Sequence, residues 1–552
     1  MGEPFISPPV LIAGGPQRFP RQVERLLGQL GFTDIANIDG SGDHGGDLLG
    51  RLNGQDWVFQ CKWQAKGTLP RAGVDELSIA TDFYRTDRAT VVTNVKPGPD
   101  AIRRARQLAR IGRTVDFWTG TDLLELYQAA DDRAALRLRD YQRAAIARLL
   151  ADLDANRRAL LILATGLGKT VIGGEVIAHH LSKQPSLDVL VVAHTRDLVN
   201  QLERALWRNL PKSVKTQVLT GDEKPRDLRG VTCATVPSAL NATLNGYRPG
   251  LVMIDETHHV GEDGLYDRLL DELAKARQFG VTATPWRGDK YDIEQHFGPA
   301  SFKLGIEEGM RRGYLSRVDY RLFVDNVDWD VVRDASRRSY SLKELNSKLF
   351  LPQRDEAVRD ELTAAWAETR DPRAIVFCQT VEHAERMAAL LRQSPEWRDT
   401  CAVHSGLGKR ERQLRLLEFR AGHVPILTAV DILSEGVDIP DCSLIAFARV
   451  THSRRIFVQQ LGRGLRLCEG KEKLLALDFV SDLRRVAALL NIRRNLDAAE
   501  VEVVPEVPQP SIAFSDLRVE SLLEQWILDA ADLETANDEA RLQFLDPYVM
   551  PT

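Results

Sequence analysis

The chain of 552 residues carries a formal net charge of −5, which excludes a globally basic nucleic-acid binder. Its hydrophobic content of 43% and charged content of 27% are those of a globular protein, and its length predicts several domains rather than one core. We find no apolar run that could span a bilayer and no secretory signal at the N-terminus, so we expect a cytoplasmic protein without a membrane anchor.

Residues 1–128 alternate short strands and helices and are predicted to form a first domain. Asn53-Gly54 lies between two apolar runs and predicts a β-hairpin that pairs residues 47–52 with residues 57–61. Side chains alternate along a strand, so Gln60 and Lys62 should project from the same face of this hairpin.

A small cluster of polar residues is therefore predicted in the first domain. Asp47, Gln60 and Lys62 bring together a carboxylate, an amide oxygen and an ammonium group. Asp47 and Gln60 are predicted to hold Mg²⁺, and Lys62 to stabilise charge during metal-assisted phosphodiester cleavage. Glu24, on a helix predicted over residues 21–30, is a candidate for a further catalytic carboxylate.

Residues 135–315 form the second predicted domain, in which strands at 160–163, 189–193, 231–234, 251–254 and 280–282 alternate with helices, as in a parallel sheet. Residues 163–170 read LATGLGKT, a glycine-rich turn between a strand and a helix. The backbone N–H groups of such a turn cradle phosphates. The predicted nucleotide-binding residues of the turn are Thr165, Gly166, Gly168, Lys169 and Thr170.

A second motif completes the predicted ATP site of this domain. Residues 251–258 read LVMIDETH, so an apolar strand ends in two acids. Asp255 and the Thr170 hydroxyl are predicted to hold Mg²⁺, and Glu256 is predicted to activate the water that attacks the terminal phosphate. The two motifs together predict that the chain hydrolyses ATP.

Residues 316–490 form the third predicted domain, with strands at 374–378, 426–429, 443–448 and 474–479. Residues 459–466 read QQLGRGLR and place Arg463 and Arg466 three residues apart. An arginine delivered across a cleft to the γ-phosphate neutralises charge in the transition state and is worth about 10³- to 10⁵-fold in rate. The alternative is a pair of surface arginines at a helix end. Gln459 is grouped with the nucleotide-binding residues.

The remaining features have simpler interpretations. Residues 491–552 are acidic and are predicted to be a small C-terminal segment. The six cysteines are scattered without the paired spacing of a metal site, so we expect reduced thiols.

Residues 135–490 resemble a superfamily 2 helicase or translocase of the DExH kind, because their motifs follow the order of that family. The resemblance implies two RecA-like lobes that move along DNA, with Gln142 contacting adenine and His258 coupling hydrolysis to movement. Residues 282–284 and 431–440 resemble further motifs of the family. The sequences LATGLGKT, DETHH and TATPWR are most similar to the helicase modules of restriction enzymes and of related DNA repair translocases.

The first domain resembles the restriction-endonuclease-like PD-(D/E)xK fold in its Mrr-like branch. The strands at 89–94 and 115–118 and the helix at 99–111 agree with that branch. Gln60 departs from the fold's usual pattern, since most relatives carry a second acid at this position. The QxK form occurs within the Mrr-like branch, although a neutral amide in principle weakens metal affinity.

The sequence therefore predicts an α/β protein in which a restriction-endonuclease-like domain precedes two RecA-like lobes. We expect an ATP-dependent DNA helicase or translocase fused to a Mg²⁺-dependent endonuclease, acting in restriction or anti-phage defence. Its partners would be DNA and other defence-system proteins. Two alternatives stay open: a DNA repair helicase whose first domain binds or senses DNA without cutting, and a first domain that docks a partner protein.

Overall fold

The computed structural model describes residues 4–38, 45–130, 137–225, 227–261, 264–283, 293–323, 340–341, 355–430, 442–448, 465, 471, 473–479 and 541–542. These residues form three successive α/β units, each built around one main sheet. Within these ranges, no helix combines the length and the apolar character that crossing a membrane requires. The five cysteines in the described part of the chain form no disulfide.

The first unit is a five-stranded sheet in the order β1-β2-β3-β4-β5 with helices on both faces. The pairs β1/β2 and β2/β3 are antiparallel, and β3/β4 and β4/β5 are parallel. In chain order the elements are α1 (Pro8–Ala13), α2 (Gly15–Gln29), β1 (Thr33–Asn37), β2 (Leu48–Leu52), β3 (Gln55–Lys62), α3 (Ala72–Tyr84), β4 (Arg88–Thr93), α4 (Pro99–Ala109), β5 (Val115–Trp118) and α5 (Gly120–Ala129).

The predicted hairpin is confirmed as β2 and β3. Asn53 and Gly54 both adopt positive φ angles, of 52° and 78°, which is the conformation that a two-residue turn of this type requires. Alternation along β3 then assigns its two faces. Phe59 and Cys61 pack with α2, whereas Val58 packs with α3. Gln60 and Lys62 follow the periodicity of Val58 and so belong to the α3 face.

The second unit is a seven-stranded parallel sheet in the order β12-β6-β11-β10-β7-β9-β8. The central strands β7, β9 and β10 are buried along their whole length, as expected for a parallel sheet covered on both faces. The elements are α6 (Asp140–Asn156), β6 (Arg158–Leu163), α7 (Lys169–Lys183), β7 (Val189–Ala193), α8 (Arg196–Trp207), β8 (Thr216–Leu219), β9 (Val231–Thr235), α9 (Val236–Leu244), β10 (Leu251–Asp255), α10 (Leu265–Glu272), β11 (Arg277–Thr282), α11 (Glu294–Phe297), β12 (Phe302–Leu304) and α12 (Ile306–Arg311).

The third unit is a six-stranded parallel sheet in the order β13-β19-β18-β15-β17-β16. A separate pair, β14 with β20, joins two short stretches that are distant in the chain. The elements are β13 (Arg317–Phe323), β14 (Tyr340–Ser341), α13 (Asp355–Glu368), β15 (Ala374–Cys378), α14 (Val381–Leu391), β16 (Cys401–Val403), α15 (Lys409–Ala421), β17 (Ile426–Ala429), β18 (Leu444–Ala448), β19 (Lys473–Phe479) and β20 (Arg541–Leu542).

The predicted fold class is confirmed for the described residues: an N-terminal α/β unit is followed by two parallel-sheet lobes. We call them the N-terminal unit, lobe 1 and lobe 2. The exact domain limits at residues 128, 135, 315 and 490 stay predictions. The predicted acidic C-terminal segment lies outside the described residues except for β20.

Candidate active sites

The glycine-rich turn of lobe 1 connects the end of β6 to the start of α7. Gly166 and Gly168 have φ angles of 90° and 89°, in the left-handed region that favours glycine. A Cβ on Gly168 would lie 2.7 Å from the side-chain nitrogen of Gln142. The turn therefore needs glycine at position 168 for its backbone angle and for the close approach of Gln142.

Two side chains of α6 donate hydrogen bonds to the turn. The Tyr141 hydroxyl donates a hydrogen bond of 2.8 Å to the Leu167 carbonyl, and the side-chain amide of Gln142 donates one of 3.2 Å to the same oxygen. The Gln142 side-chain oxygen accepts a hydrogen bond of 2.9 Å from the Arg139 N–H. Gln142, predicted to contact adenine, thus lies directly against the phosphate-binding turn.

Lys169 and the two acids of the DETH motif meet at the carboxyl edge of the lobe 1 sheet. Lys169 begins α7, and its ammonium lies 3.9 Å from a carboxylate oxygen of Glu256. Asp255 ends β10 and is buried. Burial, and secondly the charge of Glu256, raise the pKa of Asp255, while Lys169 opposes the shift. A buried carboxylate held beside a second acid is suited to bind a cation.

His258 connects this acid pair to the neighbouring strand. Its Nδ1 lies 3.1 Å from the Thr282 hydroxyl and 3.2 Å from a carboxylate oxygen of Glu256. Thr282 ends β11, which lies between β6 and β10 in the sheet. His258 thereby bridges Glu256 and Thr282, the first residue of the helicase-like motif at 282–284.

The polar cluster of the N-terminal unit is assembled at the start of β2 and the end of β3. The side-chain amide of Gln60 donates a hydrogen bond of 2.9 Å to an Asp47 carboxylate oxygen, which also accepts one of 2.5 Å from the Cys61 N–H. Asp47 and Gln60 are 6% and 2% exposed. The Gln60 side-chain oxygen is buried and accepts no hydrogen bond. An orphaned buried oxygen beside a carboxylate suits a cation ligand, because such groups otherwise lose their hydration without compensation.

Lys62 lies on the same face of β3 and contacts α3. Its ammonium forms an ion pair of 2.6 Å with Glu76, and its aliphatic stem runs past Gly73. The structure therefore brings Asp47 and Gln60 into contact and places Lys62 two residues further along the same face of β3. It adds Glu76, which sequence reasoning missed. The sequence offered only a weak indication of this contact. Glu76 lies fourteen positions after Lys62, on a helix in which Gly73, one turn earlier, leaves room for a long side chain.

Glu24 is placed differently from the other predicted residues of the N-terminal unit. Helix α2 packs on the Phe59 and Cys61 face of the sheet, opposite the face to which Gln60 and Lys62 belong. The buried carboxylate of Glu24 pairs with Arg204 of α8 in lobe 1. Its predicted role in catalysis stays a prediction, and its described partner belongs to lobe 1.

Three predicted residues of lobe 2 lie outside the described residues: Gln459, Arg463 and Arg466. The motif at 431–440 is also outside them. The neighbouring Leu465 is described, and its carbonyl accepts a hydrogen bond of 2.7 Å from the Ser316 N–H at the junction of the two lobes.

Three family models match the chain and together cover all three units. Residues 13–127 match "Restriction endonuclease", residues 135–287 match "Type III restriction enzyme, res subunit", and residues 353–468 match "Helicase conserved C-terminal domain". The chain therefore contains a region similar to restriction endonucleases, followed by two regions similar to the domains of superfamily 2 helicases. The resemblance and the fold class expected from the sequence are thereby confirmed.

Curated relatives of this chain include helicases and subunits of restriction enzymes. The irc3 protein of Schizosaccharomyces pombe, named as a mitochondrial ATP-dependent helicase, is 31% identical over 64% of the chain and 59% of its own length. The type I restriction enzyme EcoAI endonuclease subunit of Escherichia coli is 26% identical over 72% of the chain and 52% of its own length. The chain thus spans a little over half the length of these two relatives.

One solved structure shares the fold over nearly the whole chain. The ATP-dependent type ISP restriction-modification enzyme LlaBIII, bound to DNA, aligns with 96% of this chain and 43% of its own. The TM-score is 0.54 at 16% sequence identity, so the likeness concerns the fold alone.

Proposed function

We propose that this protein is an ATP-dependent DNA helicase or translocase whose N-terminal domain is a Mg²⁺-dependent DNA endonuclease. One observation carries the proposal: the buried Asp47–Gln60 pair, with its orphaned amide oxygen and Lys62 beside it, occurs in the same chain as the Lys169–Glu256 site. The matches to a restriction endonuclease model and to two helicase models support both activities.

In the proposed motor, each described residue has one role in ATP hydrolysis. The turn around Gly168 contributes backbone N–H groups to the phosphates, and Lys169 neutralises charge on the outer ones. Glu256 orients the attacking water and accepts its proton. His258 transmits the state of Glu256 to Thr282, at the end of the neighbouring strand. The arginines expected to complete the site, Arg463 and Arg466, belong to the proposal by sequence alone.

The residues present fit Mg²⁺ at both sites. Asp255 and the Thr170 hydroxyl would hold it in the motor, and Asp47 with the side-chain oxygen of Gln60 would hold it in the nuclease. When bound, Mg²⁺ neutralises phosphate charge and polarises the scissile group. In the nuclease domain, the Lys62 ammonium would stabilise the negative charge that develops on the phosphate. Glu24, the further carboxylate expected from the sequence, belongs to the helix on the opposite face and is left out of this proposal.

We place this activity in restriction or defence against foreign DNA. The relative from Escherichia coli is an endonuclease subunit of a restriction enzyme, and the LlaBIII enzyme was solved bound to DNA. DNA is therefore the proposed substrate, other proteins of a defence system are proposed partners, and the proposed location is the cytoplasm.

The direct test is cleavage of duplex and forked DNA, modified and unmodified, by the purified full chain with Mg²⁺. We expect Lys62→Ala to abolish cleavage because it removes the cation beside the scissile phosphate. Lys66→Ala is the matched control, since Lys66 is exposed and lies four residues further along. Cleavage by Lys62→Ala at the rate of the unmodified chain would refute the nuclease assignment.

The second candidate is a DNA repair motor whose N-terminal domain binds DNA or a partner without cutting. The neutral Gln60 favours this candidate, because it removes one charge from the metal site. The same assay separates the two functions: a chain that hydrolyses ATP on DNA but makes no Mg²⁺-dependent cut under any of these conditions supports the repair motor.

A further inference from the structure

We propose that Glu76 of α3 supplies the second carboxylate of the nuclease centre, in the role that the neutral Gln60 leaves vacant. The inference rests on the proposed nuclease function and adds a residue that no sequence motif assigned. It makes Glu76 a metal ligand together with Asp47 and the side-chain oxygen of Gln60.

Helix α3, which carries Glu76, covers the face of the sheet on which the polar cluster lies. Gln60 and Lys62 belong to the face of β3 that packs against α3, and the contact is direct at Lys62. The Lys62 Cγ atom would lie 3.4 Å from a Cβ at Gly73, and the Lys62 ammonium reaches Glu76, one helical turn further along α3. Positions 73 and 76 share one side of the helix. Helix α3 thus presents a carboxylate to the strand that carries Gln60.

Helix α3 also packs closely on the segment that carries Asp47. A Cβ on Gly45 would lie 2.5 Å from the Glu76 Cβ and 2.4 Å from its carbonyl oxygen. A Cβ on Gly46 would lie 3.3 Å from the Ala80 Cβ, one turn beyond Glu76. The backbone two residues before Asp47 therefore packs directly on the Glu76 turn of α3. Gly45 is needed because any side chain at position 45 would collide with the backbone of this turn.

The side-chain oxygen of Gln60 has no hydrogen-bond partner among the described residues. It is nine-tenths buried or more, and no donor in the described structure reaches it. An amide oxygen in this position gains a partner when a cation binds. Oxygen ligands hold divalent cations more tightly as their total charge rises. Asp47 alone offers one negative charge, whereas Asp47 with Glu76 offers two, which is the charge that an aspartate and a glutamate give in the usual pattern of the fold.

The position of Glu24 agrees with this assignment. Helix α2 lies on the opposite face, and Arg204 of lobe 1 engages the Glu24 carboxylate. Glu76 is 42% exposed and pairs with Lys62 through one carboxylate oxygen, so the side chain can be reached from solvent. Within the described ranges, no three His, Cys, Asp or Glu residues cluster as a metal site. The proposed centre differs from such a cluster because one of its three ligands is an amide.

The test measures Mn²⁺ binding to the full chain without nucleotide, using the electron paramagnetic resonance of the free ion. The binding that Asp47→Ala removes defines the nuclease site and separates it from any site in the motor. We expect Glu76→Gln to weaken this binding by about tenfold or more, because one charged ligand is lost. Asp82→Asn, an exposed carboxylate on the same helix, is the matched control and should bind Mn²⁺ normally.

A reciprocal exchange distinguishes a ligand from a residue that only orients Lys62. In the double variant Gln60→Glu/Glu76→Gln, the carboxylate moves to the strand, and we expect Mn²⁺ affinity to return to within about threefold of the unmodified chain. Two results would overturn the inference and leave the nuclease function intact. One is equal Mn²⁺ affinity of Glu76→Gln and the unmodified chain, and the other is failure of the double variant to recover affinity. Absence of any Mn²⁺ binding that depends on Asp47 would overturn both.

Discussion

Gln60 sets the electrostatics of the N-terminal site when no cation is bound. Its amide donates to Asp47, so the buried carboxylate has a hydrogen-bond donor where the usual second acid would place a like charge. Two buried carboxylates in contact repel each other, and one of them then tends to stay protonated. The glutamine therefore stabilises the cation-free protein and lowers the charge available to a cation.

This balance predicts the behaviour of Gln60→Glu. Without divalent cations at pH 7.5, we expect the variant to be less stable than the unmodified chain by roughly 1–3 kcal/mol, since a hydrogen bond is replaced by a buried like-charge contact. Mg²⁺ at millimolar concentration should remove most of the deficit because it binds the added carboxylate. Thermal unfolding with and without Mg²⁺ measures both effects. A deficit that Mg²⁺ leaves unchanged would contradict a cation site at this position.

Gly168 sets the geometry of the phosphate-binding turn. We expect Gly168→Ala to weaken ATP binding by about tenfold or more, because a left-handed φ angle costs a non-glycine residue about 1–2 kcal/mol and the new methyl group displaces Gln142. Gly246→Ala is the control: Gly246 has a φ angle of 97° but open space around its Cβ position, in a loop that follows α9. Fluorescent-nucleotide titration should show normal binding for Gly246→Ala. Equal weakening in the two variants would mean that backbone strain acts through stability alone.

Helices α2 and α8 join the nuclease domain to lobe 1 through buried charges. Arg21 pairs with Glu203 and Glu223, Arg204 pairs with Glu24, and a group of hydrogen bonds to backbone carbonyls completes the contact. Glu24 and Glu203 are each 2% exposed. Removing one member of such a pair leaves an uncompensated buried charge, so this interface should resist separation of the two domains.

The stability of this interface should depend on pH once Arg204 is removed. Burial raises the pKa of Glu24, and Arg204 is the largest opposing influence. A raised folded-state pKa for an acid means that stability falls as pH rises from the unfolded value of 4.5 through the folded value. Arg204→Ala should therefore lose roughly 1–3 kcal/mol relative to the unmodified chain at pH 8, and less at pH 5.

Urea denaturation across this pH range measures the loss in Arg204→Ala. Arg208→Ala, at the exposed end of the same helix, should show no comparable loss. A deficit in Arg204→Ala that is the same at pH 8 and pH 5 would show that Glu24 is not the group left without a partner.

The sequence predicted the elements with strong local signals. The strands Val189–Ala193, Ala374–Cys378 and Ile426–Ala429 occur at their predicted limits because they are short apolar runs between polar residues. The hairpin followed from Asn53-Gly54. The short strands β8, β12 and β16 were not predicted, since runs of three or four residues carry too little periodicity to separate them from loops.

The candidate site residues could likewise be predicted only where a local motif places their side chains. Residues within one local motif, such as Lys169 and Glu256 or Gln60 and Lys62, could be predicted because strand ends and alternation place their side chains. Glu76 could not be predicted, since its position beside Lys62 depends on how α3 packs across the sheet. The pairing of Glu24 with Arg204 joins residues 180 positions apart, and no local pattern predicts a contact between domains.

On the scale of the whole molecule, the N-terminal unit contacts both lobe 1 and lobe 2. Helix α2 packs against α8 of lobe 1, and Leu414 and Leu417 of α15 in lobe 2 pack against the nuclease core that contains Val74 and Leu77. Val74 and Leu77 belong to α3, the helix that carries Glu76. Movement of lobe 2 relative to lobe 1 would therefore act on the core of the N-terminal unit to which α3 belongs.

This arrangement predicts a variant that uncouples cutting from ATP use. We expect Leu414→Ala/Leu417→Ala to retain DNA-stimulated ATP hydrolysis within about twofold and to lose at least about tenfold in ATP-dependent cleavage. The reason is that the ATP site is untouched while the apolar contact with the core of the N-terminal unit is removed. Parallel loss of both activities would instead indicate a general structural role. Leu390→Ala, in α14 of the same lobe and packed within the lobe 2 core, serves as the control.

The central claim is that one chain combines a DNA-stimulated ATPase with a DNA nuclease whose chemistry is separate from ATP hydrolysis. The most direct measurement follows ATP hydrolysis and DNA cleavage in the same reaction, with Mg²⁺, for the unmodified chain, Lys169→Ala and Lys62→Ala. We predict that Lys169→Ala abolishes ATP hydrolysis and ATP-dependent cleavage, and that Lys62→Ala abolishes cleavage while ATP hydrolysis continues. Unchanged ATP hydrolysis in Lys169→Ala, or unchanged cleavage in Lys62→Ala, would contradict the account.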